Sequence, residues 1–184
     1  MARSSIDFVI MVDNAYYRRR SNSLQENAEL AAKLLTDGHY GFSRWFDQIA
    51  YQNGDGNEGK MFYYIQSILI YAFFNDGVIR QSEYNAYCKF CSNTGHTPKS
   101  PSEMTTHYNK FPTSEFIKGF DVLAALRDKV DSTYYHSFLY GLVLLAVNSE
   151  GQFTERAYNL FTRLLTPGYD NCPSYYSLMQ QVYP

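Results

Sequence analysis

The stretch Phe138–Leu165, FLYGLVLLAVNSEGQFTERAYNLFTRLL, limits the fold more than any other part of the chain. From Phe138 to Val147 it is apolar in every direction a helix can face. Leu142, Val143, Leu144 and Leu145 leave no solvent side, so the segment belongs inside a core. It is about half the roughly twenty residues that a bilayer span requires. Glu150-Gly151 ends the helix, because glycine accepts the left-handed conformation common just past a helix end. Thr154 is placed to cap a second helix, with Glu155 in its first turn. Phe153, Ala157, Leu160, Phe161, Leu164 and Leu165 then recur at helical spacing.

The same design occurs earlier. Tyr64–Cys91 reads YIQSILIYAFFNDGVIRQSEYNAYCKFC, and an ungapped alignment sets Ala72 on Ala146, Asp76 on Glu150 and Gly77 on Gly151. Ile79 falls on Phe153, Tyr84 on Tyr158 and Asn85 on Asn159. The identities sit where a helix-turn-helix unit is most demanding, and two copies of one unit are expected. An apolar helix ending in Ala, then Asp-Gly, a hydrophobic residue and a Glu, resembles the tellurite-resistance TerB-like proteins over roughly residues 60–166. The first copy supplies Ala72, Asp76-Gly77, Ile79 and Glu83; the second supplies Ala146, Glu150-Gly151, Phe153 and Glu155. The resemblance implies a compact all-helical fold with acidic residues near the turns, proposed in that family to bind divalent metal. It also implies a stress-response or defence setting. The chain departs from the pattern in three places. Glu150 replaces the second Asp, Ala157 stands where the repeat calls for a partner of Glu83, and Arg80 replaces a capping residue.

Along the rest of the chain, Ser4 and Asp7 form a capping pair for a first helix to about Arg20, with a short strand over Phe8–Val12 as the alternative. Leu24–Leu35 reads as a helix stopped by Gly38, and Phe42–Ala50 as the next. Asn53–Gly59 has oxygen ligands at alternate positions, but Tyr64 stands where a calcium loop needs a bidentate Glu, so a plain turn is expected. Lys60–Phe74 and Ser82–Cys91 make the first copy of the repeated unit. Residues 92–112 read as mostly irregular, apart from one or two helical turns after the Ser100-Pro101-Ser102-Glu103 capping box. Glu115–Val130 precedes the central helix, which Asp131 or Ser132 caps, and Ser174–Tyr183 is a last short helix. The expectation is all-α: a single compact bundle of about seven to nine helices, one domain over residues 1–184, built around two similar helix-turn-helix units.

Charge and cysteine content narrow the function. Sixteen basic residues against eighteen acidic ones argue against a nucleic-acid binder, and the only basic run, Arg18-Arg19-Arg20, reads as a solvated helix end. No apolar run is long enough for a membrane span. Ile6–Val12 is too short for a signal-peptide core, and three cysteines without an export signal point to the cytoplasm. Cys88 and Cys91 form a CxxC pair, but two ligands fall short of a closed zinc site, and helical spacing suits ordinary core. No nucleophile-elbow, zincin, P-loop or dinucleotide-binding motif is present, so the reading leans away from an enzyme.

Two groups of residues remain. The acids at the turns, Asp76, Glu83, Glu150 and Glu155, are the candidate metal ligands; oxygen-rich clusters suit Ca²⁺ or Mg²⁺, and no other cofactor is indicated. Eighteen tyrosines include the pairs Tyr16-Tyr17, Tyr134-Tyr135 and Tyr175-Tyr176, which are the candidate partner-binding residues. The leading expectation is a non-enzymatic TerB-like domain that binds a protein partner and takes divalent metal at its acidic turns. The alternative is a small inhibitor or immunity-type protein blocking its partner through a tyrosine-rich surface. A homo-oligomer fits either.

Overall fold

A computed structural model describes residues 5–74, 78–165 and 173–182. Its elements are α1 (Ser5–Ser21), α2 (Leu24–Asn53), α3 (Met61–Phe73), α4 (Gln81–Asn93), α5 (Pro101–Lys110), α6 (Thr113–Leu126), α7 (Ser132–Glu150), α8 (Glu155–Leu165) and α9 (Tyr175–Gln181). Among the described residues there is no strand, which removes the alternative over Phe8–Val12. No helix there is long and apolar enough to cross a membrane.

Helix α7 is the hub. Every residue from Gly141 to Asn148 is buried, as its unbroken apolar run requires. Asp131 caps it by accepting the Thr133 N–H (2.8 Å), and Gly151 closes it at φ 78°. Helices α2 and α1 both pack against α7, and α4 packs against α2. Helices α3, α6 and α8 build a second group, with α6 between the other two.

The largest correction to the sequence reading is α2. It is one helix of 30 residues, not two helices broken at Gly38. Gly38 and Gly41 are points of close approach. A methyl group on Gly38 would lie 2.5 Å from Phe138 Cβ, and one on Gly41 2.2 Å from the Tyr134 ring. The missing side chains let α7 lie against the α2 backbone, so the signal that looked like a stop is a groove. Residues 92–112 also hold more helix than expected. The capping box is complete, with Ser100 Oγ accepting from Glu103 N–H and Glu103 Oε1 accepting from Ser100 N–H, and α5 runs for 10 residues behind it. The capping residues proposed for α1, Ser4 and Asp7, lie outside what is described of that helix.

Candidate functional site

The two helix-turn-helix units correspond to α3–α4 and α7–α8. Each apolar helix ends in carbonyls that accept from a distant guanidinium. Arg156 donates to Ala72 O (3.0 Å) and Tyr71 O (3.3 Å) at the end of α3. Arg19 Nε donates to Asn148 O (3.0 Å) at the end of α7. Cations in these places satisfy the open acceptors of a helix C-terminus and its negative dipole end.

The acids at the turns divide. Glu83 is buried in the first turn of α4, and Glu150 is half-exposed at the end of α7. Arg80 lies between them, with its Nη1 3.2 Å from Glu150 Oε1 and 4.0 Å from Glu83 Oε1. The start of α4 and the end of α7 therefore meet, and a guanidinium lies between their carboxylates. Asp76 lies outside the described residues. Glu155 is exposed at the start of α8, where its charge acts on Tyr175: burial first, then Tyr16 and Glu155, push that phenol's pKa up. No group of three His, Cys, Asp or Glu side chains able to hold a metal occurs among the described residues. The described set is two carboxylates and one arginine, short of the about six to eight oxygens that Ca²⁺ takes.

The six tyrosines divide by helix geometry, since neighbours on a helix point about 100° apart. Tyr16 and Tyr135 are buried, and neither ring offers itself to a partner. Tyr16 OH accepts the Phe153 N–H (2.7 Å), and Tyr135 OH donates to Leu164 O, so both phenols tie helices together. Tyr175 is half-buried and donates to Phe153 O (2.7 Å). Tyr134 covers Gly41 and meets Tyr40 edge-on. Tyr17 and Tyr176 are exposed, at 62% and 74%. Cys91 is buried, which raises its thiol pKa to about 11 and leaves it inert at neutral pH.

A concave site lies elsewhere, where α3, α5 and α6 meet. Two adjoining cavities of about 560 and 270 Å³ share Tyr63, His107 and Phe111. Lys99 and Lys110 line the larger, Lys60 and Lys118 the smaller. Tyr63 and Phe111 are 54% and 40% exposed, a large share for rings in a trough. His107 packs against Phe111 and Phe116, with ring centroids at 4.6 and 5.7 Å. Burial, then the charges of Lys99 and Lys110, lower its pKa below the usual histidine value. Sequence reasoning missed this site because its parts come from three helices and one was read as irregular. The lysines carry a signal of it in the sequence: four of the chain's seven line this trough.

A buried amide stands on the trough wall. Gln66 is 5% exposed, and its Oε1 accepts from Tyr87 OH (2.8 Å). Tyr87 OH also accepts the Lys99 N–H (3.0 Å), which ties α4 to the segment before α5. With Oε1 so engaged, Nε2 is the end of the amide that meets the solvent of the trough, and among the described hydrogen bonds it donates to no protein acceptor. The arrangement offers apolar ring faces, ammonium groups and one held amide donor, which are the parts of a binding site. No family model, curated protein or solved structure matches the chain.

Proposed function

We propose that the protein is a non-enzymatic, cytoplasmic helical module of the TerB-like type that works in a stress-response or defence setting by holding a protein partner. The trough carries this reading. Two exposed rings, Tyr63 and Phe111, stand in one concavity with four lysines, none of them in an ion pair among the described residues. Aromatic anchors in a pocket with a polar rim are the anatomy of a binding hot spot. Between the start of α4 and the end of α7, the positive charge in this reading is that of Arg80 in place of a resident Ca²⁺ or Mg²⁺.

The test is capture of partners from a lysate of the source cells, comparing wild type with Tyr63→Ala and Phe111→Ala. Both substitutions are expected to lose a partner that the wild type retains. Retention by both variants overturns the assignment to the trough. The inhibitor reading draws on a different face, where exposed Tyr40 meets Tyr134 and Arg44 lies 5.6 Å from the Tyr40 ring centre. Loss of capture by Tyr40→Ala, with Tyr63→Ala unaffected, would favour that reading.

A further inference from the structure

We infer that the trough receives an extended acidic segment of the partner protein, in which one apolar side chain sits between two carboxylate-bearing ones. This rests on the reading of the trough as the partner's seat and adds the chemistry of what sits there. The lysines are arranged in two pairs, Lys99 with Lys110 and Lys60 with Lys118, one pair to each cavity. The rings Tyr63, His107 and Phe111 border both cavities, so each lysine pair shares a cavity with the same three rings. An apolar side chain fits against those rings while a carboxylate on either side reaches a lysine pair.

Charge complementarity is specific to this place. The chain carries a net charge of −2, yet more than half of its lysines line one trough. Four lysines against two glutamates, Glu103 and Glu115, leave the lining of the trough with an excess of positive charge. Gln66 Nε2 adds a second, uncharged reason to expect an acceptor. Gln66 Nε2 donates to no protein acceptor among the described hydrogen bonds and keeps contact with the solvent of the trough, so a carboxylate or a peptide carbonyl can take the place of the water it meets there.

The same features argue against a nucleic acid. A continuous polyanion would pass Glu103 and Glu115, which line the two cavities along with the lysines. No arginine lines either cavity, although arginine outnumbers lysine in the chain. An acidic segment with an apolar middle matches a lysine–ring–lysine pattern, whereas an evenly charged backbone does not.

The probe is a short labelled peptide with one phenylalanine between two pairs of glutamates, compared with the same peptide carrying glutamines. Binding to the full chain is followed by fluorescence anisotropy. The glutamate peptide is expected to bind at least about tenfold more tightly, and its affinity to fall as salt is raised. Charge reversal at exposed positions, Lys60→Glu with Lys118→Glu, is expected to weaken it about tenfold, and so is Lys110→Glu. Gln66→Met is expected to weaken it about three- to tenfold, the equivalent of one hydrogen bond. Melting curves of each variant check that the fold is intact.

Equal affinity for the two peptides, or indifference to both lysine reversals, overturns the acidic occupant. So does displacement of the glutamate peptide by a single-stranded oligonucleotide at equal charge concentration. If neither peptide binds while Tyr63→Ala still loses the cellular partner, the acidic chemistry fails and the trough remains the seat. If Tyr63→Ala and Phe111→Ala keep that partner, the seat itself is wrong.

Discussion

At Gly38 a hydrogen atom stands where any side chain would meet Phe138. The Cβ of an alanine there would lie 2.5 Å from Phe138 Cβ and 3.2 Å from its Cα, so relief requires moving the α7 backbone and not a flexible side-chain tip. Alanine is the better helix former by about 1 kcal/mol, but overpacking of this kind costs about 1–3 kcal/mol. Gly38→Ala is therefore expected to destabilise the fold in urea titration, and a stabilised variant would show that α2 and α7 are further apart. The sequence reading misjudged this residue because a glycine that ends a helix and one that admits a neighbouring helix look alike in one dimension. Two histidines carry a second residue-scale prediction. His39 and His107 both have lowered pKa values, mainly through burial, with like charges adding to it and Asp47 opposing it at His39. The folded chain thus holds these protons less tightly than the unfolded chain, whose histidines titrate near 6.5. Stability conferred by keeping them neutral is present above pH 6.5 and is lost as pH falls through that value towards the folded pKa values. The melting temperature is expected to fall from pH 7.5 to pH 5, and the fall to shrink in His39→Gln.

Among the elements, the joint between α1, α2 and α7 is held by two buried asparagines. Asn27 Nδ2 donates to Asn148 Oδ1 (3.1 Å) and to Arg18 O (3.0 Å), and Asn148 Nδ2 donates to Leu24 O (3.1 Å). Asn148→Ala is expected to cost about 1–3 kcal/mol, since it strips bonds from groups that water cannot reach. Adding Asn27→Ala should cost less than it does alone, which a double-mutant cycle in urea reads as coupling. A second joint, at the turns, is the Arg80 bridge to Glu150. Arg80→Ala is expected to lower the melting temperature, and millimolar Ca²⁺ to restore part of the loss, because the substitution leaves Glu83 and Glu150 close with one cation fewer. The same Ca²⁺ should leave the wild type unchanged; a rise of several degrees there would show that the turns take metal with Arg80 in place. Glu83 and Glu150 were legible in the sequence as acids near turns. Their bridging arginine was read only as a missing cap, because a contact between α4 and the end of α7 has no trace in either segment's own pattern.

For the whole molecule, the question is whether the α1–α2–α7 side and the α3–α6–α8 side unfold together. The apolar run of α7 made one shared core legible in advance, and the burial of Gly141–Asn148 agrees. What spacing could not show is the chain of rings that joins the two sides. Phe8 of α1 meets Phe153 at 5.9 Å, Phe153 stacks on Phe161 of α8 at 6.0 Å, and Phe161 meets Phe73 of α3 at 6.4 Å. Phe8, Phe153 and Phe161 have no solvent exposure at all, so parting the sides would bare three rings at once. Such exposure costs several kcal/mol, at about 25 cal/mol per Å² of apolar surface. A half-folded species is then too sparse to detect, and unfolding should be two-state. The single tryptophan makes this measurable. Trp45 lies in α2 beneath Lys129, 5.6 Å from its ring centre, and its fluorescence reports the α1–α2–α7 side, whereas far-ultraviolet circular dichroism reports every helix. In urea the two signals are expected to share one midpoint. Phe153→Ala, which removes the central ring, is expected to lower that midpoint by an amount equivalent to about 3–5 kcal/mol. A tryptophan transition that separates from the dichroism transition in the wild type would mean that the ring chain does not couple the sides and that the chain folds as two units.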